Sequence, residues 1–352
     1  MHQRAATAHR DRSLERSLQL PPTAFNTRRT TARRLPPAPR HQRPFLIHLV
    51  QGFSAGGEYG GATAYMVEFA PARHRALYGS WQASTQGLAM LVGALLGATL
   101  TASLNESDLL SWGWRIPFLI ALPLGFIGLY LRVKLSDTPA FAAAKEERTT
   151  ESTPLAEVLR TERRSIIVGI GIVTGWTTTT FLLIYLPTYI PKAFDYSATT
   201  ALVGASVGLA IYAVGCPLVA IASDRIGRKP ILLIATAGSA IWAIPAFTLL
   251  LTGNVAALIL AHVGIGFVLA FYGSAGSTAL AEMFPTSVRY TALSISYSVA
   301  VSLFGGFSPL IATFLLQQTG WAIAPAFYVA TAGVIATIAA TFLTESANKV
   351  LR

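Results

Sequence analysis

Glu58 is the one carboxylate that the sequence places deep inside a long apolar stretch, 45–67. Burial away from water disfavours the ionised form, so such a side chain can take up and release a proton near neutral pH. On a helix it shares a narrow sector with three polar side chains, at steps of three, four and seven residues: Gln51, Ser54 and Tyr65. The stripe indicates either a proton-coupling or cation-holding role for Glu58, or a structural acid bonded to a neighbouring helix.

Hydroxyl-bearing and aromatic side chains supply further candidates for a substrate-lining role. Thr178, Tyr185 and Tyr189 fall on one face of the apolar stretch 166–190. Hydroxyls in membrane helices also bond to their own backbone, so lining and local bonding both stay open at these positions. Three tyrosines in other stretches are candidates of the same kind: Tyr59, Tyr272 and Tyr297.

Two basic side chains lie near the ends of apolar stretches. Arg115 stands between Trp114 and Pro117, which favours an anchor at the membrane interface. The alternative for Arg115 is a counter-charge for an anionic substrate. His262 is expected to be a packing histidine rather than a proton carrier.

The composition predicts a membrane protein. Charged residues make up 12% of the chain and hydrophobic residues 53%, whereas a soluble chain carries roughly 25% charged residues. The apolar residues fall in stretches long enough to cross a bilayer as helices, and these are 45–67, 78–103, 116–135, 166–190, 201–222, 231–251, 255–280, 291–316 and 323–343. We therefore predict an all-α polytopic membrane protein with nine spans.

A charged loop, Ser-Asp-Arg-Ile-Gly-Arg-Lys-Pro at 223–230, separates two of these spans. Gly227 permits a tight turn, and Pro230 suits the first turn of the next helix. The excess of basic residues predicts that the loop lies on the cytoplasmic side. Four side chains in it cannot enter hydrocarbon cheaply and must lie at the membrane surface: Asp224, Arg225, Arg228 and Lys229.

Most of the net charge of +11 comes from residues 1–44, where ten arginines against two acids give +8. This segment is expected to be a disordered basic tail or to lie outside the natural coding frame. Nine spans and a cytoplasmic C-terminus would put this tail outside, so we expect an odd number of upstream spans to be missing. The other predicted units are a partial N-terminal bundle of three helices (45–135), a cytoplasmic linker (136–165), a C-terminal six-helix bundle (166–343) and a cytoplasmic tail (344–352).

Four motifs carry a family resemblance: QGFSAGGEY at 51–59, WGWRIPF at 112–118, the loop at 223–230 and EMFPTSVR at 282–289. Together they resemble the major facilitator superfamily, in the metabolite:proton symporter branch that includes carriers of proline/betaine, α-ketoglutarate, shikimate and citrate. The resemblance implies a twelve-helix bundle in which the nine spans correspond to helices four to twelve. It also implies transport by alternating access.

The resemblance further implies that charges at the cytoplasmic ends of helices hold one state of the transport cycle. The alternative is that they only enforce membrane topology. Glu68 with Arg73 and Arg75 is expected to form a similar pair in the first bundle. The residues that match this gating set are Asp224, Arg225, Gly227, Arg228, Lys229, Glu282 and Arg289.

The function hypothesis is therefore proton-coupled symport of a small polar organic solute, either a carboxylate or a zwitterion. The alternative is a truncated membrane remnant that does not transport. The sequence has no Walker loop, Gly-x-Ser-x-Gly turn or Cys/His metal spacing, so we expect no enzyme activity, metal or cofactor, and a proton gradient as the driving force. The expected partners are the solute, protons and the lipid bilayer, without nucleic acid, for a monomer in a bacterial plasma membrane.

Overall fold

The computed structural model describes residues 58–134, 155–347, 349 and 351, which lie within one compact unit, 50–352. Every regular element in these ranges is a helix. Four short helices lie in connections: Ala72–His74, Glu106–Ser111, Gly113–Arg115 and Leu155–Thr161. The other helices are labelled α1 (58–69), α2 (Arg75–Ser103), α3 (Ile116–Lys134), α4 (Arg163–Ala193), α5 (Ala198–Ile226), α6 (Arg228–Leu250), α7 (Val255–Glu282), α8 (Arg289–Thr319) and α9 (Ala324–Thr341).

Eight helices in the described ranges are long and apolar enough to cross a membrane, and they match the second to ninth predicted spans. The first predicted span, 45–67, lies mostly outside the described residues. Several helices run past the predicted ends, as α4 does by starting at Arg163. Hydropathy predicts only the part of a helix that lies in hydrocarbon. The charged turns at the helix ends are therefore not included in the predicted spans. The all-α polytopic fold class is confirmed.

The helices pack closely because small residues face each other where they cross. α2 packs against α5 and α7, α7 packs against α5 and α6, and α9 packs against α6 and α4. A Cβ atom on Gly266 of α7 would overlap the carbonyl oxygen of Gly208 on α5. Lipid provides no hydrophobic driving force between helices. Close van der Waals packing of two backbones stabilises their association instead.

The turn between α5 and α6 confirms the predicted role of Gly227. Its φ of 109° lies in a region that only glycine adopts readily, and α6 begins at the next residue, Arg228. Pro230 lies in the first turn of α6, as predicted. A side chain at position 227 would also collide with the carboxylate of Glu345.

Two further features bear on function. α3 is exposed at every residue from Phe118 to Tyr130, so the grouping of 45–135 and 166–343 into two bundles stays a prediction. α8 contains a π-helical segment, Val301–Gly306, between two α-helical parts. Single π turns inside α-helices widen the helix locally and are frequent at functional sites.

Candidate functional site

Glu58 is the first described residue of α1, and its side chain is exposed. Tyr65 is half-buried, and its ring lies 4.6 Å from the ring of Phe69. Gln51 and Ser54 lie outside the described residues, so the predicted polar stripe is covered only in part. A proton-coupling role for Glu58 stays a prediction.

Arg115 is exposed just before α3. Its Nη1 donates to the carbonyl of Ser111 at 2.8 Å, and its guanidinium lies 5.0 Å from the centre of the Trp114 ring. These contacts are local, and both Arg115 and Trp114 are exposed. They favour the interfacial anchor over the counter-charge for an anionic substrate.

The candidates on α4 differ in their bonding. Tyr185 shares a 2.7 Å hydrogen bond with Thr313 of α8, and Tyr189 donates to the Ala322 carbonyl at 2.9 Å. Thr178 is fully buried, and its hydroxyl has no hydrogen-bond partner in the described ranges. Buried hydroxyls without a partner are costly, so Thr178 is the better candidate for contact with a solute.

His262 is fully buried on α7, where its Nδ1 lies 2.8 Å from the Leu258 carbonyl. Its ring packs against Gly204 of α5, and its backbone packs against Gly208. This placement fits the packing histidine expected from the sequence.

Five aromatic side chains from five helices form what we call the aromatic cluster. The rings of Tyr59 (α1) and Tyr297 (α8) stack with centroids 3.4 Å apart and planes 7° apart. The rings of Trp176 (α4) and Tyr272 (α7) are parallel, with centroids 6.3 Å apart. The fifth member is Tyr212 of α5, which is fully buried.

A short segment of α7, residues 272–277, brings the aromatic cluster together. Gly273 packs against the ring of Tyr212, and Gly276 packs against the indole of Trp176. Ser277 shares a 3.2 Å hydrogen bond with the hydroxyl of Tyr59. The two glycines therefore act as the surface on which rings from α4 and α5 meet, while the serine holds the ring from α1.

A second group lies at the helix ends near the 223–230 loop, and we call it the ionic cluster. At its centre the Arg228 side chain is 1% exposed. Arg228 Nη1 lies 3.1 Å from Asp224 Oδ1, and Nε lies 3.2 Å from Glu282 Oε2. Its members are Glu68, Arg75, Asp224, Arg228, Glu282 and Arg289.

Asp224 also ties the loop to the first part of the chain. Its two carboxylate oxygens accept from the backbone N–H groups of Ala76 and Leu77, at 2.9 and 3.0 Å, in the first turn of α2. A carboxylate at a helix N-terminus satisfies free N–H groups and interacts favourably with the helix dipole. Of the remaining loop cations, Arg225 is exposed and Lys229 donates to the Thr341 carbonyl at 2.7 Å.

The predicted pairing of Glu68 with Arg73 and Arg75 is wrong. Glu68 instead accepts from Arg289 Nη1 at 2.6 Å, and both side chains are buried. Arg75 lies 3.9 Å from Glu282. The pairing differs because α1 and α2 pack against the later helices at this end, which brings opposite charges close that are far apart in sequence.

Glu345, after α9, is a site residue that sequence reasoning missed. Its carboxylate accepts from the backbone N–H groups of Arg228 and Lys229, each at 3.0 Å, at the start of α6, and from those of Ser346 and Ala347 at 3.0 and 2.9 Å. Partial burial alone would raise the pKa of Glu345, but the four backbone donors lower it below its ordinary value of 4.5. A lone acid behind the last span carries no motif that would have revealed this.

The segment that follows α9 also lines an open cavity of about 230 Å³ at the ionic cluster. Ser346 donates to Glu282 at 2.6 Å, and Arg75 donates to the Lys349 carbonyl at 2.6 Å. The C-terminal segment therefore contacts α2, α6 and α7 at once. The cavity is lined by Arg75, Arg164, Ser165, Glu282, Glu345 and Lys349, among others.

The sequence profile of the Major Facilitator Superfamily matches residues 45–272 and 205–351. The chain belongs to the Major Facilitator Superfamily. This confirms the resemblance seen in the four motifs. Within the superfamily, the chain is 38% identical over 323 residues to the ectoine/proline transporter ProP of Corynebacterium glutamicum, covering 87% of this chain and 64% of that protein.

Two other superfamily comparisons agree. The chain is 32% identical to the glycine betaine/proline/ectoine/pipecolic acid transporter OusA of Dickeya dadantii, covering 87% of this chain and 63% of that protein. A partially occluded inward-open structure of the xylose transporter XylE of Escherichia coli matches with a TM-score of 0.58 at 19% identity, covering 82% of this chain and 68% of that one. The chain thus spans somewhat under two thirds of the length of the two sequence relatives.

We expect Glu68→Gln to lower the free energy of unfolding by about 3 kcal/mol, because it leaves buried Arg289 without its carboxylate. Thermal unfolding in detergent measures the loss. Arg73→Gln, at an exposed cation of the same connection, is the matched control and should change little. The double variant Glu68→Gln/Arg289→Gln should lose less than the sum of the single variants. Full additivity would contradict the pairing.

We expect Glu345→Gln to cost about 1 kcal/mol of stability at neutral pH, the usual cost of removing a helix cap. Because folding lowers the pKa of Glu345, the carboxylate stabilises the fold above the ordinary pKa. That contribution is lost as the pH falls through the lowered value. The difference in melting temperature between wild type and variant should therefore shrink as the pH falls below the ordinary pKa of 4.5. A melting-temperature difference that does not change with pH would contradict this prediction. The control is Asp195→Asn, at an exposed acid, and an equal effect there would also contradict it.

Proposed function

We propose that this chain carries small zwitterionic solutes across the membrane by alternating access, driven by a proton gradient. The observation that carries the proposal is the aromatic cluster, where polar but uncharged side chains from α1 meet those from α4, α5, α7 and α8. Binding sites of secondary transporters lie between two groups of helices near the middle of the membrane.

Charge at the helix ends supports the same proposal. The ionic cluster connects α1 and α2 with the later helices through ion pairs, and such pairs can be exchanged as two groups of helices rock against each other. In one state of the transport cycle, the ionic cluster then keeps the bundle closed at the end near the 223–230 loop, through Asp224, Arg228, Glu282 and Arg289. The loop is assigned to the cytoplasmic side of a bacterial plasma membrane, from the basic excess in its sequence.

The choice of a zwitterion over a dicarboxylate has two supports. The names of ProP and OusA include ectoine, proline and glycine betaine. Arg115, the cation weighed for an anionic solute, contacts Ser111 and Trp114 on the exposed side. A dicarboxylate would bring two negative charges next to the aromatic cluster, whose own side chains are uncharged, and this is costly inside a membrane. The working unit is a monomer without a cofactor.

Uptake by the purified chain in liposomes tests the proposal. With an alkaline interior, labelled glycine betaine and proline should accumulate above their equilibrium level, and a protonophore should abolish the accumulation. Succinate should not accumulate. Liposomes without protein give the background. If neither zwitterions nor dicarboxylates accumulate, the proposal is overturned in favour of a chain that does not transport.

We expect Glu58→Gln to abolish gradient-driven accumulation while exchange of labelled for unlabelled solute continues, because only net transport requires a proton to be carried. The matched control is Glu106→Gln, the same change at an exposed carboxylate outside the spans. Accumulation with unchanged pH dependence in Glu58→Gln would exclude the coupling role.

A further inference from the structure

The stacked pair Tyr59 and Tyr297 has an unusual geometry for two rings. Aromatic pairs favour offset or edge-to-face arrangements with centroids 4.5–7 Å apart, since the negative faces of two rings repel each other. Here the planes are 7° apart and the centroids only 3.4 Å apart, so the two faces lie directly over one another. A positive group placed between the rings would be attracted by both faces.

The two rings belong to different parts of the chain. Tyr59 is on α1 and Tyr297 is on α8, one turn before the π-helical segment Val301–Gly306. Movement of α1 relative to α8 would part the rings. The hydroxyl of Tyr59 is held by Ser277, so its ring keeps a defined orientation on the α7 side.

Few formal charges lie within the described spans around the pair. Between 165 and 222 and between 231 and 281, which cover almost all of α4 to α7, the charged residues are Lys192 and Asp195 at the far end. Glu58 precedes Tyr59, but its side chain is exposed. A cation at this level would therefore depend on ring faces, the mode by which proteins recognise quaternary ammonium groups.

Neutral polar groups close by suit the other end of a zwitterion. The hydroxyls of Thr177 and Thr178 are buried and have no hydrogen-bond partner in the described part of the chain. Thr177 faces Gly305, in the π-helical segment that follows Tyr297 on α8. Hydroxyl donors can bind a carboxylate without bringing a second charge into the membrane.

We propose that the faces of Tyr59 and Tyr297 form the binding site for the ammonium group of the solute, and that their stacked contact is the closed form of this site. The aromatic cluster then selects solutes that join a methylated ammonium to a carboxylate and carry no net charge. This inference rests on the proposed function in taking the transported solute as the ligand.

Equilibrium binding of labelled glycine betaine to the purified chain in detergent tests the site without requiring transport. We expect Tyr59→Leu and Tyr297→Leu each to weaken binding by about tenfold, the effect of losing one cation–π contact shielded from water. Tyr59→Phe and Tyr297→Phe keep the ring and should stay within about threefold of wild type. Tyr196→Leu, which removes a ring whose hydroxyl donates to the Asn254 carbonyl just before α7, is the matched control and should bind normally.

The outcomes separate this inference from the proposed function. Binding that depends on the two rings, without uptake in liposomes, would keep the site and overturn transport. Uptake with equal binding by wild type and both Leu variants would overturn the site and keep transport. Failure of the wild-type chain to bind glycine betaine would overturn the site. An equal loss in Tyr196→Leu, or a loss in the Phe variants as large as in the Leu variants, would also overturn it. Thermal unfolding of each variant shows that it is folded.

Discussion

The structure depends on the high cost of an unpaired charge away from water. Arg228 and Arg289 have side chains that are each 1% exposed, and each meets a carboxylate. Removing one partner of such a pair costs more than the pair contributes, because a buried charge is left uncompensated. The pairs therefore fix which helix ends can lie together, even though their net contribution to stability is small.

This constraint divides the molecule into two chemical zones. Charges gather at the end where α1, α2, α5, α6, α7 and α8 meet, and the interior of the bundle carries hydroxyls and aromatic rings. Ion pairs can exchange partners as helices move, whereas rings packed on Gly273 and Gly276 require the helices to separate before their faces are accessible. The same helices carry the ionic cluster and the aromatic cluster. Exchange of the ion pairs and exposure of the ring faces therefore depend on the same helix movements.

Hydropathy and charge predicted the spans and the end of the bundle where charges gather, because each depends on local composition. The partners of the charges were not predictable in this way. Arg75 and the carbonyl of Lys349 are 274 residues apart, and Glu68 met Arg289 rather than its neighbours. Tyr59 and Tyr297 were named separately as candidates, but nothing in one sequence indicates that their rings stack. Such contacts arise from helix packing, which depends on many weak interactions at once.

Two carboxylates perform the same task at the two sides of the charged loop. Asp224 caps the first turn of α2, and Glu345 caps the first turn of α6. Each binds backbone N–H groups of a helix far from it in sequence, so each contact needs two helix ends held at a fixed distance. The loop at 223–230 is therefore bonded on one side to α2 and on the other to the segment after α9. Movement of α2 away from α5 would break the cap of Asp224 and free that carboxylate to pair fully with Arg228, which offsets part of the cost. An exchange of this kind keeps Asp224 and Arg228 paired as α2 moves, which fits the small energy differences between states that alternating access requires.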